Sequence, residues 1–305
     1  MRKALVLLLA ALVCGPALVA QAPAGERRTI AVSVLDNDGK TVTGLTASNF
    51  RGTFRGQPVT ILSAELDTNP RRIAILVDTS AGTPQVQTSW ALVWTIAEDL
   101  ISQLALSYKI AFLMFAENLH GRVEFVGGRE RLLNLLQDAK MASPRGSSAV
   151  YDALFDTSQD FTPAQTGDAI ILISDGDDNA SRKRMKDVER KLVTAHMRVF
   201  AIWTNPTRLR ASSRQIANGK ERLAQLANST GGLFLEPPDD RTGNLKAQLG
   251  LTYEAIRDVY RLEVQVQPTI DKPRQWELAL VDAEAKEIKA LVVAYPKLLV
   301  PASKP

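Results

Sequence analysis

Two short segments place oxygen-bearing side chains in matching settings. Asp78-Thr79-Ser80 closes an unbroken apolar run, Ile73–Val77, and Ser174-Asp175-Gly176 closes a second, Ala169–Ile173. Between them, Gly146-Ser147-Ser148 precedes a stretch with helical apolar spacing. Two carboxylates with neutral hydroxyls form a hard donor set suited to Mg2+ or Mn2+, ions that take six oxygens in near-octahedral array and keep water among them. Asp78 and Asp175 would supply charge, partly through bridging waters, and Ser80 and Ser148 would supply hydroxyls. With few acids in direct contact, such an ion stays electrophilic and accepts an acidic group from outside. Each side chain also has a plainer use. Asp78 and Asp175 can cap the turns or helices that follow, and Ser147 or Ser148 can cap the helix containing Tyr151. Asp152 reads as a hydrogen-bonding residue, Asp177 and Asp178 as solvated loop carboxylates.

The elements that must carry these residues follow from periodicity. Ile73–Val77, Ile110–Phe115, Ala169–Ile173 and Arg198–Trp203 are nearly continuous apolar runs, as expected of strands covered on both faces in a parallel sheet. A short strand is predicted at Val123–Val126, and His120 falls in a predicted hairpin turn. Helical spacing predicts helices over about 86–106, 129–139, 150–161, 183–195, 213–229 and 242–258. The α/β alternation implies a doubly wound, mainly parallel sheet over residues 71–258, which binds ligands beyond the carboxyl ends of its strands. Residues 27–66 and 259–296 instead alternate with period two, and neither set has enough strands to bury a core alone. They are predicted to join as one small β-sandwich domain.

The ordered set resembles the metal ion-dependent adhesion site of von Willebrand factor type A domains, a pattern of Asp-x-Ser-x-Ser, a distant Thr and an Asp-Gly pair. The matching residues are Asp78, Ser80, Ser148 in place of Thr, and Asp175-Gly176. Gly146–Asp152 is similar to that family's Gly-Gly-Thr-Ala-Leu-Tyr-Asp loop, and Ala227–Gly232 to its closing helix-to-strand turn. The flank Val34–Phe50, with the later Gly56-Gln57-Pro58, looks like the opening of the exported acidobacterial VWFA-related proteins. The resemblance implies a VWA (Rossmann-like) fold, a divalent cation and a binding or adhesion role toward a protein or extracellular polymer, engaged through an acidic group. The chain departs from the pattern at Gly82, where a second hydroxyl is expected. Losing one ligand of a charged centre costs about 1–3 kcal/mol, so the metal site is expected to be weakened.

Composition bounds the remaining possibilities. Arg2-Lys3, the apolar run Ala4–Val13 and small residues up to Ala20 have the layout of a signal peptide over residues 1–20, too short to span a bilayer. The chain is therefore expected to be exported, periplasmic or secreted, with no transmembrane segment after cleavage. Its one cysteine, Cys14, lies in that leader, which leaves no thiol for a disulfide or thiolate site. The net charge of +4 falls to +2 without Arg2 and Lys3, too little to indicate nucleic acid. The basic stretch Arg182–Lys191 reads as a solvated helix face. Only His120 and His196 are available as imidazoles, and no nucleophile elbow or phosphate-binding glycine loop occurs, so an enzyme is not expected. A metal-free envelope scaffold and a Mg-dependent hydrolase are the competing readings.

Overall fold

The computed structural model describes residues 25–81, 87–141, 146–204, 213–237, 243–289 and 292–301. The predicted signal peptide, Gly82 and the only cysteine lie outside these residues. The first part of the chain forms β1 (Glu26–Leu35), β2 (Phe50–Phe54) and β3 (Gln57–Asp67). An alternating unit follows: β4 (Arg72–Asp78), α1 (Gln87–Gln103), β5 (Lys109–Phe115), β6 (Leu119–Val123), α2 (Gly128–Lys140), α3 (Val150–Thr157) and β7 (Ala169–Ser174). It continues with α4 (Met185–Thr194), β8 (Arg198–Trp203), α5 (Ser213–Thr230), β9 (Phe234–Leu235) and α6 (Gly243–Arg257). The chain then returns to β structure in β10 (Val259–Val266), β11 (Arg274–Gln275), β12 (Glu277–Leu280), β13 (Val292–Ala294) and β14 (Leu298–Leu299).

The alternating unit is built on a six-stranded sheet of order β6-β5-β4-β7-β8-β9, parallel throughout except for the edge strand β6. The period-two geometry of a strand splits each apolar run between two faces. Ile73, Ile75, Val77, Phe112, Ile171 and Phe200 face one core with α1, α2 and α6. Ala74, Leu76, Leu113, Phe115, Ile170 and Leu172 face the other with α3, α4 and α5. Full burial of each large aliphatic side chain contributes about 1.5–3 kcal/mol. The chain starts this sheet in the middle, at β4, builds outward to β6, then crosses back to lay β7 on the other side of β4. The strand order reverses between β4 and β7, the place in an open parallel sheet where ligands bind beyond the carboxyl ends.

Both chain ends meet in a second six-stranded sheet of order β12-β2-β3-β10-β1-β13, antiparallel at every pairing. Residues from both ends, among them Val32, Phe54, Leu262, Val264 and Trp276, share one core. They do so, however, by hydrogen-bonding within one sheet plus the ribbon β11–β14, which replaces the predicted pair of facing sheets. Strand β10 lies between β1 and β3, so neither chain end completes the sheet alone.

The two sheets are fastened near the amino end of β8. Arg198 is fully buried there, its Nη1 donating to Ser33 Oγ on β1 and to the Ala255 carbonyl on α6, both at 2.9 Å. Ser33 Oγ also donates to that carbonyl at 2.6 Å. Burial, then the nearby Arg71 charge, pull the Arg198 guanidinium down to about 9.

Candidate metal centre

The reversal point holds the predicted site. Asp78 is the last residue of β4, and Ser174 is the last of the neighbouring β7, with Asp175 directly after it. Asp78 Oδ2 accepts the Ser174 hydroxyl at 2.7 Å and the Ser148 hydroxyl at 2.9 Å, and Oδ1 accepts the Ser80 backbone N–H at 2.9 Å. Asp78, Ser80, Ser148 and Asp175 are 0–2% exposed, so the donors form a buried group beneath the rim. Burial pushes the Asp78 carboxyl above the usual carboxylate range, while the hydrogen bonds from the three serines oppose that shift.

Backbone contacts tie the loops together. Ala81 N donates to the Gly146 carbonyl, and the Ser148 carbonyl accepts from both Asn179 and Ala180. Asn179 answers with its side chain, Oδ1 accepting from Ser148 N at 2.8 Å. Asp175 Oδ1 takes the Asp177 N–H at 2.9 Å, and the Asp175 carbonyl takes the Trp203 indole N–H at 3.2 Å. Gly176 has φ +76°, and a Cβ there would lie 2.3 Å from the Gly219 carbonyl of α5. Only glycine allows α5 to press so closely against this loop.

Asp78, Ser80 and Ser148 are thus joined by hydrogen bonds at the end of β4, and Asp175 follows the Ser174 that bonds the same acid. The helix-cap alternative for the serines is corrected. The first turn of α3 is capped by Ser181, whose Oγ accepts from Tyr151 N at 3.0 Å and Asp152 N at 3.1 Å. Asp152 in turn receives the backbone N–H groups of Arg182 and Lys183, as its expected hydrogen-bonding role requires. Asp177 and Asp178 are half-buried rather than freely solvated, and burial raises the Asp178 carboxyl.

Sequence reasoning missed two neighbours. The Ser174 hydroxyl donates to Asp78 while accepting from Gly176 N at 3.0 Å, so it orients the acid. His120 lies on β6, not in a turn, because the strand runs 119–123 rather than 123–126. Its Nε2 is 3.1 Å from Thr79 Oγ1. The Thr79 hydroxyl also reaches the Phe115 carbonyl at 2.9 Å, and His120 Nδ1 lies 3.3 Å from the Asn118 carbonyl. A histidine 41 residues from its partner left no signal in the sequence.

The donor chemistry fits a hard cation. Ser148 spends its proton on Asp78 and keeps its lone pairs. Ser80 Oγ, buried beside the same carboxylate, makes no well-formed hydrogen bond. Among the described residues no three carboxylate, imidazole or thiol groups gather on one point, so the set is two acids with hydroxyls.

No protein-family model and no curated protein matches the chain. Among solved structures, proximal thread matrix protein 1 from the mussel byssus is similar at 16% identity and a TM-score of 0.50, over 67% of this chain and 50% of that one. A von Willebrand factor type A protein from Catenulispora acidiphila is similar at 12% identity and a TM-score of 0.46, over 92% and 75% of the two chains. The central α/β unit has the von Willebrand factor type A fold. Manganese-loaded TRAP protein of Plasmodium vivax is also similar, at 15% identity and a TM-score of 0.44, over 79% of this chain and 98% of that one. At these identities the likeness is one of fold, and the A-type unit here is judged by its own residues.

Proposed function

We propose that this chain is an exported, non-enzymatic binding protein that engages a protein or extracellular polymer at the carboxyl edge of its A-type sheet. The observation that supports this reading is the hydrogen-bonded group of Asp78, Ser80, Ser148 and Ser174 at the end of β4, with Asp175 next in the chain. Mg2+ or Mn2+ held there by the two acids and two hydroxyls, with water completing the shell, supplies positive charge on which a partner's acidic group docks. The antiparallel sheet of the chain ends, fastened through Arg198, presents that edge in a fixed orientation.

Thermal unfolding with added Mg2+ or Mn2+ tests the reading. A cation at 10-fold excess over its Kd stabilises by roughly 1.4 kcal/mol, and at 100-fold by about 2.7 kcal/mol. The expected result is a rise in midpoint for the parent protein that is absent in Asp78→Asn; equal midpoints with cation and with chelator would sink the metal.

A metal-free scaffold is the second reading, and one observation favours it. Protein donors already meet the Asp78 carboxylate on both oxygens, so the acid is satisfied as a structural group. The same unfolding series separates the two.

A further inference from the structure

Residues 182–191 carry six basic and two acidic side chains, a net +4 equal to the formal charge of the entire chain. Without the predicted leader the chain is +2, so the rest of it sums to −2 and the positive charge sits in one loop and α4. The fold sharpens this asymmetry. Glu189 turns inward, 5% exposed, and accepts from Gln225 Nε2 at 3.1 Å and Ser229 Oγ at 2.8 Å. Outward, Arg182, Lys183, Arg184, Lys186 and Arg190 are exposed, with Asp187 as the carboxylate among them. The exposed side chains agree with a solvated helix face, and with Glu189 turned inward the acid among the cations is Asp187.

The cations are also held in place. Asp187 binds Arg184 at 3.0 Å and Arg190 at 3.3 Å. Lys191 and Lys183 both lie over the Phe155 ring, their Nζ atoms 3.8 and 4.6 Å from its centre. Asp152 pins the backbone of Arg182 and Lys183. Ordering long side chains in advance lowers the entropy that binding would otherwise cost.

Beside the strip runs an open groove of about 690 Å3, lined by Phe155, Lys191, Lys272, Pro273 and Pro301. Two carboxylates also face it, and arginines hold both: Asp187 as described, and Asp271 by Arg274 at 3.6 Å. A groove that joins cations to proline rings suits a linear polymer with anionic groups and C–H ring faces. It suits other polyanions less well. Val188 and Leu192 of α4 are buried in the core and Met185 packs against it, so the strip offers little apolar surface to a bilayer. The Phe155 ring is covered by ammonium groups, which denies stacking bases a platform.

We infer that the 182–191 strip and its groove form a docking surface for an acidic polysaccharide. This names a partner for the binding role proposed above and rests on that role, though not on the metal. Retention of the full chain on immobilised dextran sulfate, against neutral dextran, across a NaCl series with chelator present, is the test. Expected is salt-sensitive retention on the sulfated polymer alone, weakened on the order of tenfold in Lys183→Gln/Lys186→Gln/Arg190→Gln and unchanged when Mg2+ replaces the chelator. The three replaced side chains are exposed, and an unaltered unfolding midpoint confirms an intact fold. No retention of the parent, or equal retention of the triple variant, would overturn the assignment. So would tighter binding, at equal salt, to polyglutamate, to phosphatidylglycerol vesicles or to duplex DNA. Retention that requires Mg2+ would move the polymer to the metal centre and remove it from the strip, whereas a chain that binds dextran sulfate but ignores Mg2+ loses only the metal.

Discussion

The A-type sheet carries a buried polar cluster at each end, and the two are opposites. At the carboxyl end a carboxylate, Asp78, is surrounded by hydroxyl and backbone donors drawn from neighbouring loops of one unit. At the amino end a guanidinium, Arg198, meets a hydroxyl and a carbonyl, spans two sheets and leaves Nε and Nη2 without partners. A buried charge satisfied on all sides is costly to disturb; one left half-satisfied already carries its desolvation penalty. The first cluster is therefore expected to be rigid and specific, the second a fastening that tolerates replacement.

The sharpest way to break this contrast is at the carboxyl end. Asp78→Ala strands the Ser148 and Ser174 hydroxyls at a buried site and is expected to cost about 2–4 kcal/mol, read as a lower midpoint in urea with an unchanged slope. Next is Ser181→Ala, which removes the acceptor for two N–H groups of α3. A loss of about 1–2 kcal/mol is expected, with amide exchange at Tyr151 and Asp152 accelerated. Arg198→Met should move stability by less than about 1 kcal/mol in either direction, because the lost hydrogen bonds are offset by removing an uncompensated cation. A loss as large as that of Asp78→Ala would erase the distinction.

The smallest effect concerns pH. His196, near the fastened junction, has its imidazole held below the usual value by burial and by Arg28. Its unfolded form binds the proton first, so stability falls as pH drops from about 6.5 toward the lowered native value. The ring is solvent-accessible, so the loss is at most a few tenths of a kcal/mol. His196→Asn, which tolerates the φ of +55°, should flatten that part of the profile.

The same contrast separates what the sequence revealed from what it hid. Asp78, Ser80, Ser148 and Asp175 were legible because each sits at a fixed offset from an apolar run or a glycine turn, and strand ends in a parallel sheet converge. Arg198 opens such a run, and a charged residue at a strand start reads as exposed; its burial comes from β1, more than 160 positions earlier. The hydroxyl of Ser174 was hidden by its place inside a strand, although alternation does not forbid it from bonding past its own carboxyl end. Period-two patterning located the outer strands but not their partners, which is why one continuous sheet was read as two. Gly82, where the expected hydroxyl is missing, falls outside the described residues.

Strand β1 finds its neighbour very late. Thr29 Oγ1 bonds Glu263, 234 residues farther along, so a growing chain holds β1 without its β10 partner until the A-type unit between them has been made. In that interval β1 and β3 both present open edges, the kind of surface that recruits other chains. Any chain cut short after α6 is expected to aggregate even with its A-type unit folded, and the last forty-odd residues act as the clasp that closes the molecule.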